Sequence, residues 1–403
     1  MTRRNALRNL AVWLAGSPLW RPPLEAQQLP GESDRVPLLD DLVNVLEFEP
    51  VAKAKIPKAN YDFIAGGVDD EWTLRRNREA FNWISLRPHM LRDVSKLDLS
   101  LTLFGQKIET PILVAPTGTQ ALAHPQAELA MAKAAGAAKT IMVVSTNSSF
   151  PIEKIAAAAT GPLWFQLYPG PDHPGTRERV QRALAAGCKV IDITLDTPYV
   201  SHRERLLRNR QEQEVAPGDA LPQLVDRGEQ SSVRRRAAAP RPYRLQKRFT
   251  AELTWDFVQE VNSYAKVPVL VKGILTPEDA KAAIEHGAAG IHVSNHGGRY
   301  LDYDPSTIEV LPSIIDAVGG RVPVIVDSGF RRGTDIIKAL AVGAKAVLVG
   351  RPPLWGLAAY GQAGAQRVLE LLQSELALAM GLSGRPNLES IDRTLIEIHP
   401  PRA

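Results

Sequence analysis

The stretch Thr276-Pro277-Glu278-Asp279-Ala280-Lys281-Ala282-Ala283-Ile284-Glu285-His286-Gly287-Ala288-Ala289-Gly290-Ile291-His292-Val293-Ser294-Asn295-His296-Gly297-Gly298-Arg299 holds one complete structural unit. Thr276 is a capping residue, followed by proline at the first helical position. Pro277–Glu285 has helical period. Gly287 stands at C′, where glycine accepts φ > 0 cheaply and turns the chain. The apolar run Ala289–Val293 then reads as a buried strand. It ends in Ser294-Asn295-His296-Gly297-Gly298-Arg299, an imidazole and a guanidinium three residues apart with glycines between them. A base and an anion clamp at a strand end are what an enzyme needs to take a proton from a carboxylate-bearing molecule.

The same unit recurs along the chain. Strand candidates fall at Pro111–Pro116, Thr140–Ser145, Leu163–Tyr168, Val190–Asp196, Val267–Lys272, Ala289–Asn295, Val322–Ser328 and Ala346–Gly350, eight in all. They lack the alternation of a half-exposed sheet, as expected for parallel strands covered on both faces. Helical periods lie between them, at Pro125–Ala135, Thr176–Ala186, Trp255–Ala265, Pro277–Glu285 and Thr334–Val342. Gly136, Gly187, Gly287 and Gly343 each read as a C′ glycine. A helical segment over about 39–80 precedes the first strand. Eight strand–helix units predict an α/β fold, a TIM (β/α)8 barrel. A doubly wound open sheet is the second choice, but Ala115-Pro116-Thr117-Gly118 is not the glycine-rich loop expected after its first strand. One connection breaks the rhythm. From Tyr199 to Thr250 the chain is rich in Arg, Gln, Glu, Pro and Ala, which reads as a lid with a helical start near Arg203–Arg210 and a mobile middle.

A chain of 403 residues can bury a large core. Its net charge of +4 argues no nucleic-acid role. The arginine-rich stretches at 203–210, 234–236 and 241–247 are not interleaved with aromatics, so they read as solvated loop. The single cysteine, Cys188, excludes an intrachain disulfide and reads as a buried structural thiol. No four-ligand zinc spacing occurs, and no metal site is expected. Thr2-Arg3-Arg4-Asn5-Ala6-Leu7-Arg8 before the apolar stretch Leu10–Trp20 reads equally as a twin-arginine export signal or as a frayed basic leader. Residues 1–35 are therefore expected to lie outside the folded domain at 36–403. The location follows: periplasmic with a genuine signal, cytoplasmic without one. No later run of 18 apolar residues predicts a membrane-spanning helix.

In a TIM barrel the active site forms at the C-terminal strand ends. Those ends carry Thr117-Gly118, Ser145-Thr146, Gln166 with Tyr168, Thr194 with Asp196, Lys272, Asn295-His296, Asp327-Ser328-Gly329 and Gly350-Arg351. Each unsatisfied polar group there would cost about 1–3 kcal/mol, so they must satisfy one another or a ligand. Gly329 with Arg331, and Gly350 with Arg351, lie in the loops where this fold frequently binds phosphate. Lys272 closes the apolar run Val269-Leu270-Val271 and needs an anion. An ion pair with Asp327 or Asp196 would serve, as would an electron-rich ring.

From about Asp41 to Leu378 the chain resembles the FMN-dependent family that oxidises L-2-hydroxy acids, which includes lactate oxidases, lactate dehydrogenases, lactate monooxygenase and glycolate oxidase. The resemblance rests on Tyr61-Asp62-Phe63-Ile64-Ala65-Gly66-Gly67, Ala115-Pro116-Thr117, Gln166-Leu167-Tyr168, Thr194-Leu195-Asp196-Thr197-Pro198, Leu270-Val271-Lys272-Gly273, Ser294 to Asp302, Asp327 to Asp335 and Gly350-Arg351-Pro352. It implies that FMN is the cofactor, that His296 is the catalytic base and that Asp196 is its partner. It implies that Arg299, Arg203 and Tyr61 hold the substrate carboxylate, and that Tyr168 meets the hydroxyl. Lys272 would face the flavin ring. Pro116, Thr117, Gly118, Ser145, Gln166, Thr194 and Ser294 would line the cofactor, and Asp327 would fix its ribityl chain. Gly329, Arg331, Gly350 and Arg351 would meet its phosphate.

The resemblance further implies a small 2-hydroxy monocarboxylate substrate, oxygen or a quinone as electron acceptor, and a homotetramer. Two departures bear on specificity. Gly118 replaces a frequent alanine and is expected to open space at the reactive face. Ser145-Thr146-Asn147-Ser148-Ser149 lacks the aromatic of glycolate oxidases, which favours L-lactate or a somewhat larger aliphatic 2-hydroxy acid. Other outcomes of the same scaffold are oxidative decarboxylation of the lactate monooxygenase type, an FMN-barrel isomerase, and a flavin-binding protein without turnover. No haem-binding domain is expected before residue 40.

Overall fold

The computed structural model describes residues 36–170, 172–215 and 246–399. The expected leader at 1–35 and the expected mobile middle of the lid lie outside these residues. The chain divides into two compact units, Met1–Leu42 and Val43–Ala403. The described part of the first holds one 3-10 turn, Leu39–Asp41.

The second unit is built on eight parallel strands, β1 Ile112–Val114, β2 Met142–Ser145, β3 Leu163–Leu167, β4 Ile191–Thr194, β5 Val269–Ile274, β6 Gly290–Val293, β7 Val324–Val326 and β8 Ala346–Val349. They close in the order β7-β8-β1-β2-β3-β4-β5-β6, a TIM barrel as the sequence predicts. Nearly every strand residue is buried, because the interior side chains pack on one another and the outer ones pack under helices. The register places Thr194 opposite Lys272 and Lys272 opposite His292. It therefore sets the polar residues of neighbouring strands side by side.

Before the barrel come the helices α1 Phe48–Lys55, α2 Lys58–Ala65 and α3 Trp72–Glu79. Around it run α4 Ala127–Ala137, α5 Ile152–Ala158, α6 His173–Ala185, α7 Glu204–Val215, α8 Asp256–Ala265, α9 Pro277–Glu285, α10 Thr307–Val318, α11 Gly333–Val342 and α12 Arg351–Leu382. Helix α7 begins where the lid is expected to start. Thr276 caps α9 as expected, its Oγ1 accepting from the Asp279 amide at 3.1 Å. A hairpin of Leu101–Leu103 and Gln106–Ile108 plugs the N-terminal end of the barrel. There Phe104 meets Trp164 edge to face at 5.6 Å.

Gly187, Gly287 and Gly343 end their helices with φ of +96°, +90° and +130°. Gly136 differs. It lies inside α4, where a Cβ would stand 2.1 Å from Thr160 Oγ1 and 2.7 Å from the Gly161 nitrogen. It is a glycine because two backbones touch there, and Lys139 makes the left-handed turn three residues later at φ 55°.

Candidate active site

Strand β6 delivers His296 through a tight left-handed turn. His296, Gly297 and Gly298 have φ of 56°, 67° and 71°. A non-glycine residue in this region costs of order 1 kcal/mol and needs its surroundings to hold it there. Buried Ser294 accepts the His296 amide on Oγ at 3.0 Å. The Asn295 and Asn77 amides exchange hydrogen bonds of 2.8 and 2.9 Å, and Asn295 also donates to the Pro305 carbonyl at 3.0 Å. The turn is thus bolted to α3. A Cβ on Gly298 would lie 2.7 Å from the Leu74 nitrogen, so the approach to that helix requires glycine.

The His296 ring is held from one side. Its Nδ1 faces Asp196 at 3.0 and 3.1 Å, so Nδ1 carries the proton and donates to the carboxylate. The other nitrogen, Nε2, is an acceptor, and the Tyr168 hydroxyl donates to it at 3.2 Å. Tyr300 meets the imidazole edge-on at 4.5 Å. Burial is the main force that pulls the His296 pKa down to about 4, with Lys272 and Arg299 adding to it against the attraction of Asp196. The ring is therefore a neutral base at physiological pH. Burial works against the Asp196 carboxylate, but the facing imidazole and Lys272 outweigh it and keep its pKa below the ordinary value.

Lys272 is buried at 3% exposure. Its ammonium stands 3.8 Å from Asp196 and 3.9 Å from Asp327, so both expected ion pairs form, neither as a close contact. Burial opposes the charge, and the two carboxylates with Asp192 reverse that effect. Beside it, Ser145 Oγ donates to Gln166 Oε1 at 3.1 Å, and Gln166 Nε2 donates to Thr194 Oγ1 at 2.8 Å. These polar strand ends satisfy one another across β2, β3 and β4.

A cavity of about 300 Å³ opens here, lined by Pro116, Thr117, Gly118, Ser145, Tyr168, Lys272, His296, Asp327, Gly329 and Gly350 among others. Six cationic side chains also line it: Lys272, Arg203, Arg248, Arg299, Arg331 and Arg351. The carboxylates facing them are Asp327 in the wall and Asp196 behind His296. Such an excess of buried positive charge calls for anionic ligands. Arg331 shows it most clearly. Its guanidinium lies over Trp355 at 4.7 Å and donates to the Phe330 carbonyl at 2.9 Å, and burial lowers its pKa to about 9. A phosphate and a carboxylate together bring close to three negative charges. The residues present therefore fit FMN and a monocarboxylate.

The structure also separates the expected anion binders. Arg351 spends its three nitrogens on the carbonyls of Ile64, Gly297 and Gly66, at 3.0, 2.9 and 2.9 Å. Arg299 Nη1 contacts the carbonyls of Phe63, Ile64 and Gly66 at 2.7, 3.3 and 3.1 Å. Both tie the end of α2 to the His296 turn. The Arg331 and Arg332 amides are taken by Asp335, which caps α11 at 2.9 and 3.0 Å. Arg203 is less committed: its Nε donates to Ser201 Oγ at 3.0 Å, and the guanidinium lies over the Phe63 and Tyr300 rings.

Two expectations are corrected. Tyr61 does not line this cavity. Its hydroxyl donates to Glu49 at 3.0 Å in a separate recess, and burial drives its pKa upward. Residues two apart on a helix point about 200° apart, so α2 turns Phe63 into the cavity instead. Gly118 does not open the reactive face either. A Cβ there would lie 2.9 Å from the Asn147 oxygen and 3.0 Å from its Cβ, so the glycine lets two loops close together. Among the cavity residues that the sequence does not single out, three bear on the chemistry: Phe63, Tyr300 and Arg248. The first two stand inside the quoted motifs. Arg248 follows directly on the arginine-rich stretch taken for solvated loop.

The sequence model of the FMN-dependent dehydrogenase family matches residues 52–398. Glycolate oxidase 3 of Arabidopsis thaliana is 43% identical over 370 residues, covering 89% of this chain and 96% of the relative. Glycolate oxidase of Spinacia oleracea is 42% identical over 363 residues, 88% of this chain and 96% of its own length. A crystal structure of mandelate oxidase with (S)-2-phenylpropionate superposes with a TM-score of 0.77 at 38% identity, covering 89% of this chain and 99% of that one.

Proposed function

The chain belongs to the FMN-dependent dehydrogenase family, and from that premise we propose that it oxidises an L-2-hydroxy acid to the 2-oxo acid in the cavity around His296. FMN, when bound, accepts the two electrons. The observation that carries the reading is the His296–Asp196 pair at 3.0 Å, which leaves a neutral Nε2 beside the Tyr168 hydroxyl in the cavity that Lys272 and Arg203 also line. Oxidation at C2 releases two electrons and two protons, and His296 Nε2 takes one of those protons. Asp196 then faces a newly formed imidazolium, and a charge-assisted hydrogen bond of that kind contributes about 1.5–3 kcal/mol. Arg203, with Arg299 behind it, holds the carboxylate, where a planar fork suits two oxygens. The Tyr168 hydroxyl orients the substrate oxygen next to the base. Lys272 would supply fixed positive charge at the cofactor ring, and Arg331 would supply it at the phosphate.

The Phe63 ring gives the cavity an apolar wall, which favours an apolar substituent: L-lactate or a somewhat larger aliphatic acid. Relatives named as glycolate and mandelate oxidases mark the small and the aromatic ends of the range to compare. Their names also favour oxygen as the electron acceptor over a quinone. The test is anaerobic mixing of the yellow protein with glycolate, L-lactate, longer aliphatic 2-hydroxy acids and L-mandelate. The flavin band should bleach fastest with L-lactate or a longer aliphatic acid, and colour should return on admitting oxygen. Persistent colour with every acid would overturn the proposal and leave the isomerase reading.

A further inference from the structure

Beneath the site lies a charged pair that the proposed chemistry does not use. Strand β6 directs His292 into the barrel interior, where it has no exposure. Its Nδ1 is 2.8 Å from Asp192 on β4, and its Nε2 is 3.3 Å from Asp327 at the end of β7. From Asp327 the charges continue to Lys272 at 3.9 Å and to Asp196 at 3.8 Å, which faces the neutral His296 ring at 3.0 Å. The row alternates in sign from Asp192 to Asp196 and ends on the neutral catalytic base.

The imidazole hydrogen-bonds Asp192 through Nδ1, and its Nε2 lies within 3.3 Å of Asp327 without an aligned hydrogen bond, so two carboxylate charges face it and favour its protonated form. Burial opposes that proton, but Asp192 and Asp327 outweigh it and raise the pKa to about 9. Packing does not explain the pair. Replacing a buried ion pair with apolar residues of similar volume is often neutral or stabilising, and the neighbouring interior is already built from Ile, Val and Leu. What the pair changes is Asp327. Without His292, that carboxylate would keep only the Ser328 hydroxyl, which donates to it at 2.7 Å, and Lys272, and would draw the ammonium closer and offset its charge.

We infer that Asp192 and His292 are positioning residues that hold Asp327 from below, so that the Lys272 ammonium stays free to act on the bound flavin. This rests on the proposed placement of FMN against Lys272. The His292→Gln variant keeps hydrogen-bonding capacity and loses the charge. Its purified holoprotein should show the two-electron flavin reduction equilibrium shifted about tenfold toward the oxidised form, about 30 mV for a two-electron couple. The measurement is equilibration with a reference dye under anaerobic conditions. The double variant Asp192→Leu with His292→Leu removes the pair as a neutral unit and keeps the fold testable if the single variant does not accumulate. A purely structural role predicts the wild-type potential in the double variant; the inference predicts the lowered one. A wild-type potential in either folded variant overturns the inference and leaves the proposed function intact. A wild-type protein that binds no flavin overturns both.

Discussion

Replacing Asp196 with Asn removes one charge and keeps the shape, so it isolates what the carboxylate does for His296. In the resting protein the two stand 3.0 Å apart, and the His296 pKa is already down to about 4. The carboxylate therefore matters most when the imidazolium forms. A hydrogen bond to a charged group contributes about 1.5–3 kcal/mol. At about 1.4 kcal/mol per tenfold, that is a loss of roughly 10- to 150-fold in the rate of flavin reduction. The effect should sit in the chemical step, because no atom of Asp196 lines the cavity. Substrate affinity should change by less than about threefold. Lys272 loses one of its two carboxylate partners, at 3.8 Å, and keeps Asp327 at 3.9 Å, so flavin binding should survive. Anaerobic stopped-flow reduction at varied L-lactate separates the limiting rate from the half-saturating concentration. A limiting rate within threefold of wild type would refute the assignment of Asp196 as partner of the base, and a purely KM effect would move it to substrate binding.

Further outcomes follow from the same geometry. With His296 neutral down to about pH 4, kcat/KM should stay level from pH 8 to pH 5 and fall only below that; an ordinary imidazole would be about 3% neutral at pH 5, and a thirtyfold drop there would contradict the buried-base reading. Tyr61→Phe should leave kcat/KM within twofold because its hydroxyl is spent on Glu49, whereas Phe63→Ala should raise KM for apolar substrates in steady-state assays. Arg331→Ala should weaken FMN binding about 10- to 100-fold, the value of one or two charge-assisted contacts, measured by fluorescence on adding FMN to apoprotein. Gly136→Ala should destabilise the fold by about 1–3 kcal/mol in denaturant titration without touching the flavin spectrum, because the new methyl collides with Thr160 and Gly161.

The barrel was legible because its signals are local. Each strand is a short apolar run, and three of the helices expected to end at a glycine do so at a positive φ, at Gly187, Gly287 and Gly343, which is a property of a few adjacent residues. His296, Asp196 and Lys272 were legible for the same reason, since a polar group closing an apolar run stands out wherever strands end in a common rim. Gly136 shows where local reading stops. A glycine near a helix end looks the same whether it turns the chain or lets Thr160, 24 residues later, touch the backbone, and only the packed structure separates the two. Tyr61 and Phe63 fail in another way. Both belong to one motif on one helix, and the motif does not say which face of α2 meets the cavity; the 200° between them decides which side chain is there. His292 is the most instructive case. Within Ile291-His292-Val293 it reads as one polar residue in a buried strand, and its partners lie 100 residues before it and 35 after it, at Asp192 and Asp327. A buried cation needs its anions at contact distance, so its chemistry exists only in the register of neighbouring strands. That register, with Lys272 opposite His292, gives the interior row of charges a direction toward the base, and it is why the charge beneath the flavin site is the part of this protein that the chain order hides most completely.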